Sequence, residues 1–385
     1  MLSRIYDEQI AELATGKQLE AYKLWCKGST SKQMGKEIGV SHQVAHTRIK
    51  ALEKKATLRG KTPAYSEEFG AGEGRHVKKV TTHIKDGQTV QEWIRTDNDA
   101  ENVIASVIEA VKVLAEEVKG KSKAVTLKVK QMSDLVSLYP LFDKHTGMLA
   151  WDKETGKDYD LQIAQEQETE TFTSLVDSQP ASAEALIVFG GDYFHCDDDN
   201  QVTPAHHNKV DTDGRSHKVF GVGVGMARKY VALALAKHQH ITVEVIPGNH
   251  DPVLSMALLY VLESYYDGNE RVTVRNTPNP FTYYEFGNTL LAFQHGEKMK
   301  HERMYQCVTT DKREAWGRVK YCHVFSGHFH REQKVDIGLC TMESLRTTIP
   351  NEAYSHAAGY RSPRTAYAIT FSKDGGEVGR TTRNI

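Results

Sequence analysis

Aspartate, histidine and asparagine recur in five short motifs of this 385-residue chain. They are Asp143-Lys-His145, Gly191-Asp192-Tyr-Phe-His195, Gly248-Asn249-His250-Asp251, His295-Gly296 and Gly327-His328-Phe-His330. Carboxylate, imidazole and carboxamide oxygen are ligands for divalent cations, and none of the five motifs contains a cysteine. A mixed nitrogen and oxygen donor set suits Mn, Fe or Zn better than Mg or Ca. The neighbouring glycines let backbone pack close to the ligands. A random scatter of the chain's 18 histidines does not account for six of them in successive motifs of this kind.

The elements that must position these residues are legible from apolar patterning. Each motif follows directly on a short apolar run: Val136–Phe142, Ala185–Phe189, Ile241–Ile246, Leu290–Phe293 and Val324–Phe325. Such runs read as strands. Strands that run alike end on one sheet edge, where the ligand sites of α/β folds form. Asp134 is a rival to Asp143 for the first motif, but it has no histidine two residues on. The polar, acidic stretch from Asp197 to Asp213 reads as a surface loop, with His206, His207 and His217 solvated in or beside it.

The N-terminal region has a different character. Residues 1–62 hold 12 Lys and Arg against 6 Asp and Glu, so they carry +6 while the remainder carries −7. Residues 17–56 read as helical, with Leu19, Tyr22 and Leu24 in a first apolar pattern. Ala45, Ile49 and Leu52 then form an inward face at helical spacing. Gly39 suits a left-handed turn residue and Ser41 suits the cap of the following helix. This pattern resembles a helix-turn-helix over about 20 residues. Its second helix offers His42, Gln43, Arg48 and Lys50 to DNA. Residues 62–76 read as a linker, 77–96 as a hairpin around Asp86-Gly87, and 98–119 as a helix. The expected organisation is a helix-turn-helix DNA-binding domain over 1–61, a connecting region over 62–123, and an α/β domain over 124–385.

The five motifs, taken in order, resemble the calcineurin-like metallophosphoesterases over roughly residues 130–345. The resemblance implies a two-sheet α/β sandwich flanked by helices, behind a small all-α N-terminal domain. It implies that Asp143, His145 and His330 hold a first metal and that Asn249, His295 and His328 hold a second. Asp192 would bridge the two. His250 would be the non-ligand catalytic histidine, oriented by Asp251, and His195 would touch substrate or brace the ligands. Two metal ions would share a hydroxide that attacks phosphorus, with Mn expected first and Fe, Zn or Mg as alternatives. Gly-Asp-Tyr-Phe-His is similar to the form found in SbcCD-type DNA-repair nucleases, and the whole arrangement looks like phage-encoded proteins. The expected function is therefore a DNA phosphodiesterase, a nuclease of exonuclease type. Two alternatives remain. One is a phosphomonoesterase or cyclic-nucleotide phosphodiesterase with a docking N-terminal domain. The other is a DNA-binding regulator with a vestigial metal site.

Composition sets the remaining bounds. A formal charge of −1 with 39% hydrophobic residues excludes a uniformly basic nucleic-acid coat and a wholly disordered chain. No apolar run reaches the roughly 18 residues of a membrane span, so no membrane partner is expected. The five cysteines, Cys26, Cys196, Cys307, Cys322 and Cys340, form no C-x-x-C pair and do not read as a disulfide framework. A reducing cytoplasm is the expected location. Family nucleases are often dimers, which makes a homodimer an open partner. With no G-x-x-x-x-G-K-[ST] segment in the chain, any ATPase would be a separate partner chain.

Overall fold

Residues 6–58 fold as four helices in the computed structural model: α1 (Glu8–Ala11), α2 (Lys17–Cys26), α3 (Ser31–Glu37) and α4 (His42–Leu58). A capping box between Thr30 and Gln33 opens α3. Gly39 then takes φ +67°, and Ser41 Oγ accepts the Val44 N–H at 3.3 Å to start α4. Ala45, Ile49 and Leu52 point inward with Ala56, against Tyr22 and Met34. A two-stranded antiparallel ribbon, β1 (Arg75–Lys85) and β2 (Gln88–Asn98), follows. The structure describes residues 6–58, 75–85, 88–98, 111, 115–127, 129–204 and 206–385. The linker core, the Asp86-Gly87 turn and most of the expected 98–119 helix lie outside them. The chain divides into two compact units, residues 1–109 and 110–385.

The larger unit is mixed α/β with two sheets. One sheet has six strands in the order β13-β12-β3-β4-β5-β6. Its strands are β3 (Met132–Leu141), β4 (Ser182–Phe189), β5 (His240–Val245), β6 (Val272–Val274), β12 (Thr365–Ser372) and β13 (Gly376–Asn384). The other has five in the order β10-β11-β9-β8-β7. These are β7 (Thr282–Phe286), β8 (Thr289–Phe293), β9 (Tyr321–Ser326), β10 (Gln333–Ile337) and β11 (Cys340–Ser344). Strands β3 to β6 run parallel, and so do β8, β9 and β11. The five apolar runs that precede the motifs are thus strands β3, β4, β5, β8 and β9.

Period-two alternation sorts these strands into layers. Val136, Leu138, Leu186, Val188, Leu291, Phe293, Phe325, Ile369 and Phe371 fill the space between the sheets. The alternate residues Tyr139, Leu141, Ala185, Ile187 and Phe189 turn outward. They meet α6 (Leu161–Ser178), α7 (Ser216–Leu235) and α8 (Pro252–Tyr265), while a short α5 (Asp152–Thr155) precedes α6. On the far face of the second sheet, Leu290, Ala292, Cys322 and Val324 pack against α9 (His301–Asp311) and its neighbour α10 (Arg313–Trp316). Strands buried on both faces explain why the runs are continuously apolar. Among the described residues no helix is long and apolar enough to cross a membrane.

Two expectations are corrected here. Cys322 and Cys340 are register partners on β9 and β11, and their sulfurs are joined. Sequence spacing gives no sign of a pair that only sheet pairing creates. The 197–213 stretch is not wholly a solvated loop either. Asp197 is half-buried, its carboxylate accepts the Val253 and Leu254 N–H groups at the start of α8, and burial pushes its pKa up to about 7. His206, His207 and His217 do stay exposed.

Candidate metal centre

The parallel strands deliver their motifs to one edge. Asp143 follows β3, Asp192 follows β4, Asn249 follows β5, His295 follows β8 and His328 follows β9. The loops are stitched to one another through backbone. Asp143 N–H donates to Gly191 O at 3.1 Å, His145 N–H to Asp192 O at 2.8 Å, and Gly327 N–H to His295 O at 2.7 Å. Asp134 lies exposed at the opposite end of β3, away from the cluster.

Three donor groups result among the described residues, one of them His145, His195 and His250. Asp143, His145 and His330 bring ligand atoms together, as do Asp192, His295 and His328. His145 Nε2 is 3.1 Å from His330 Nε2, and His330 Nε2 is 3.5 Å from Asp143 Oδ1. In the second group His295 Nε2 is 3.1 Å from Asp192 Oδ2 and 3.2 Å from Asn249 Oδ1. Asp192 Oδ2 also lies 3.9 Å from His145 Nε2, so this carboxylate stands between the groups.

Backbone conformation marks the same residues. Seven non-glycine residues among those described have positive φ, and five of them are Asp143, His145, Asp192, His328 and His330. Each such conformation costs on the order of 1–3 kcal/mol and persists only where its surroundings impose it. Glycines complete the cradle. A Cβ on Gly191 would strike the His295 ring, on Gly248 the Asp192 carboxylate, and on Gly327 the Asp143 carboxylate.

The electrostatics suit cations. Burial raises the cost of an ionised Asp192, yet the His295 imidazole outweighs it and holds the carboxyl well below its usual range. Burial likewise favours neutral His295, but Asp192 pushes its pKa up to about 10. Burial, reinforced by His250, drives His145 well below the ordinary imidazole value. Buried imidazoles and carboxylates crowded at about 3–4 Å can serve as ligands for divalent cations. The residues therefore fit two cations.

His250 and His195 flank the ligands. His250 donates Nδ1–H to His195 O at 2.8 Å, and its Nε2 faces Asp192 Oδ2 at 4.0 Å. The expected partnership of Asp251 with His250 is corrected. Asp251 is fully buried, and its carboxylate accepts the N–H groups of Asp192, Gly248 and Phe194 and the Ser255 hydroxyl, at 2.8–3.1 Å. It pins the second motif to the third. Burial and the neighbouring Asp192 carboxylate push its pKa up to about 6.

Sequence reasoning missed two further groups. Lys144, between two ligands, turns away into a buried ion pair with Glu168 of α6 at 2.8 Å. Glu352 reaches the site from the segment after β11, with Oε2 3.5 Å from His195 Nε2. No local sequence signal points to Glu352, since β11 (Cys-Thr-Met-Glu-Ser) is not an apolar run. Arg364 is structural, donating to Thr348 O and Gln167. In the N-terminal unit His42, Gln43 and Lys50 are exposed on α4. Arg48 is half-buried with its guanidinium Nη1 enclosed, which corrects its assignment to the same outward face.

No family model and no curated protein sequence matches the chain. Solved structures do. A phosphoesterase from E. coli is 13% identical, with 64% of this chain and 98% of that one covered at a TM-score of 0.32. An archaeal phosphodiesterase is 14% identical over 65% of this chain and 99% of that one, also at 0.32. Vps29 from Entamoeba histolytica in complex with zinc is 9% identical over 65% and 98%, at 0.26.

Proposed function

We propose that the protein is a two-metal phosphoesterase that hydrolyses the phosphodiester bonds of DNA. The observation that carries this reading is a pair of adjacent donor groups with Asp192 standing between them, gathered at five strand ends where Asp143, His145, Asp192, His328 and His330 take positive φ. Asp143, His145 and His330 would hold one cation, and Asn249, His295 and His328 the other, with Asp192 common to both. Divalent cations bound there supply Lewis acidity, activation of water and charge neutralisation for phosphoryl transfer.

The chain's own groups do the rest. His250 is fixed by its Nδ1–H bond to His195 O and presents Nε2 to the site, where it can give a proton to a leaving oxygen. Asn249 adds a donor without adding negative charge beside an anionic substrate. The surroundings favour a polynucleotide over a small ester. Phe329 lies between two ligands, is 53% exposed, and carries the Arg331 guanidinium 5.7 Å from its ring. Tyr354 and Tyr360, both exposed, sit on the segment that carries Glu352. Exposed aromatic faces beside cationic groups stack bases and hold phosphates. The basic N-terminal helices, with His42, Gln43 and Lys50 outward, supply a DNA-binding surface on the same chain.

The test is a paired assay in Mn²⁺. One arm offers labelled single- and double-stranded DNA, the other bis-p-nitrophenyl phosphate and p-nitrophenyl phosphate. DNA cleavage that disappears in Asp192→Asn is the expected result. Turnover of the small esters with DNA left intact would refute the nuclease reading and retain the phosphoesterase. Silence in both arms, with metal bound, would refute catalysis.

A further inference from the structure

We propose that Glu352 is a positioning residue for the metal centre, acting through His195 on His145. The inference rests on the reading of Asp143, His145 and His330 as a cation site. The chain of contacts is short. Glu352 Oε2 lies 3.5 Å from His195 Nε2, His195 Nδ1 lies 3.1 Å from His145 Nδ1, and His145 Nε2 faces His330 Nε2 at 3.1 Å.

Proton positions along this chain follow from valence. A cation on His145 Nε2 leaves the ring's only hydrogen on Nδ1. Two imidazole nitrogens 3.1 Å apart form a hydrogen bond only when one of them is protonated. His145 Nδ1–H therefore donates, and His195 Nδ1 accepts. The single hydrogen of neutral His195 is then on Nε2, directed at Glu352.

The burial pattern fits this assignment. His195 is 1% exposed, and its Nε2 has no hydrogen-bond partner within ordinary distance. A buried donor of this kind is costly unless an acceptor meets it. The Glu352 carboxylate is the group in place to do so. Glu352 stands at the N-cap position of α11 (Ala353–Ala357), yet its side chain makes no capping bond there. Its Oε1 accepts the Ser355 hydroxyl at 3.5 Å, and its Oε2 faces His195. The arrangement extends the usual carboxylate–histidine–metal triad by one imidazole. Glu352 fixes the His195 tautomer, and His195 fixes both the tautomer and the ring orientation of His145.

The reason this residue is remote in sequence lies in the topology. Strand β11 runs parallel to β9, so its C-terminal end feeds the same edge as the ligand loops. The stretch from Leu345 to Glu352 is thereby carried beside His195, although it contains none of the five motifs.

The experiment is a Mn²⁺ titration of the full chain by calorimetry and electron paramagnetic resonance, which separates coupled from isolated ions. Glu352→Ala should weaken one of two Mn²⁺ equivalents by about tenfold, within the range for residues that brace metal ligands. The other equivalent should stay in place, and the coupled dimanganese spectrum should give way to an isolated-ion spectrum. Glu352→Gln keeps an oxygen that accepts His195 Nε2–H, so it should bind closer to wild type. His195→Ala should show the same loss as Glu352→Ala, and the double variant no further loss, as expected for residues acting as one unit. Wild-type affinity at both sites in Glu352→Ala, or additive losses in the double variant, would overturn the proposal. A wild-type protein that takes up no Mn²⁺ would remove the metal centre itself and this inference with it.

Discussion

Replacing Asp251 by Asn separates two roles for this residue. The carboxylate accepts four hydrogen bonds in a fully buried position, two on each oxygen. Asn keeps one oxygen and can retain the Asp192 and Gly248 N–H groups. Its amide nitrogen then faces the Phe194 N–H and the Ser255 hydroxyl. The hydroxyl can turn to accept, but the Phe194 N–H loses its acceptor. An orphaned buried donor costs about 1–3 kcal/mol, and loss of the charge weakens the two bonds that remain, for a total of about 3–5 kcal/mol. The loop that carries Asp192 should loosen, so Mn²⁺ affinity should fall together with stability. Urea denaturation and a metal titration on the same preparation measure both. The reasoning is refuted if Asp251→Asn keeps wild-type stability and metal affinity while losing turnover. That pattern would restore Asp251 as the partner of His250.

Two other perturbations test separate parts of the structure. In Gly248→Ala the new methyl group collides with the Asp192 carboxylate, so the variant should fold yet lose most of its bound metal. Full metal content by elemental analysis would contradict the close approach at that loop. His238 reports on the core. It is fully buried, bonded to Tyr139 Oη at 2.7 Å and Ser182 Oγ at 2.9 Å, and burial lowers its pKa from 6.5 to about 4. The unfolded chain binds a proton between these values and the folded one does not. Stability from this group is therefore complete above pH 6.5 and falls as pH drops toward 4, by up to about 3 kcal/mol. Chemical denaturation of wild type and His238→Gln across that window should give a steeper acid loss for wild type, and parallel curves would count against it.

Much of the site was legible because metal chemistry restricts residue types and because strand ends restrict spacing. Asp143, His145, Asp192, Asn249, His295, His328 and His330 stand out as ligand-capable residues after apolar runs, and the structure brings all seven to one edge. Strand burial on both faces makes those runs visible, and the inward stripe of α4 makes Ala45, Ile49 and Leu52 equally plain. Long-range partners are not written this way. Nothing near Asp251 in the chain announces that its carboxylate will bind the amides of Asp192 and Phe194. Nor does Cys322 announce Cys340, or Lys144 announce Glu168. Each pair depends on which strands lie side by side, and that is set by packing both sheets against one core. Glu352 is the clearest case. A lone glutamate between Asn351 and Ala353 has no local signature, and only the parallel course of β11 beside β9 carries it to His195. Sequence fixed the donor chemistry through local residue types, whereas tertiary structure decided which groups brace those donors, because bracing is a property of contacts between strand ends far apart in the chain.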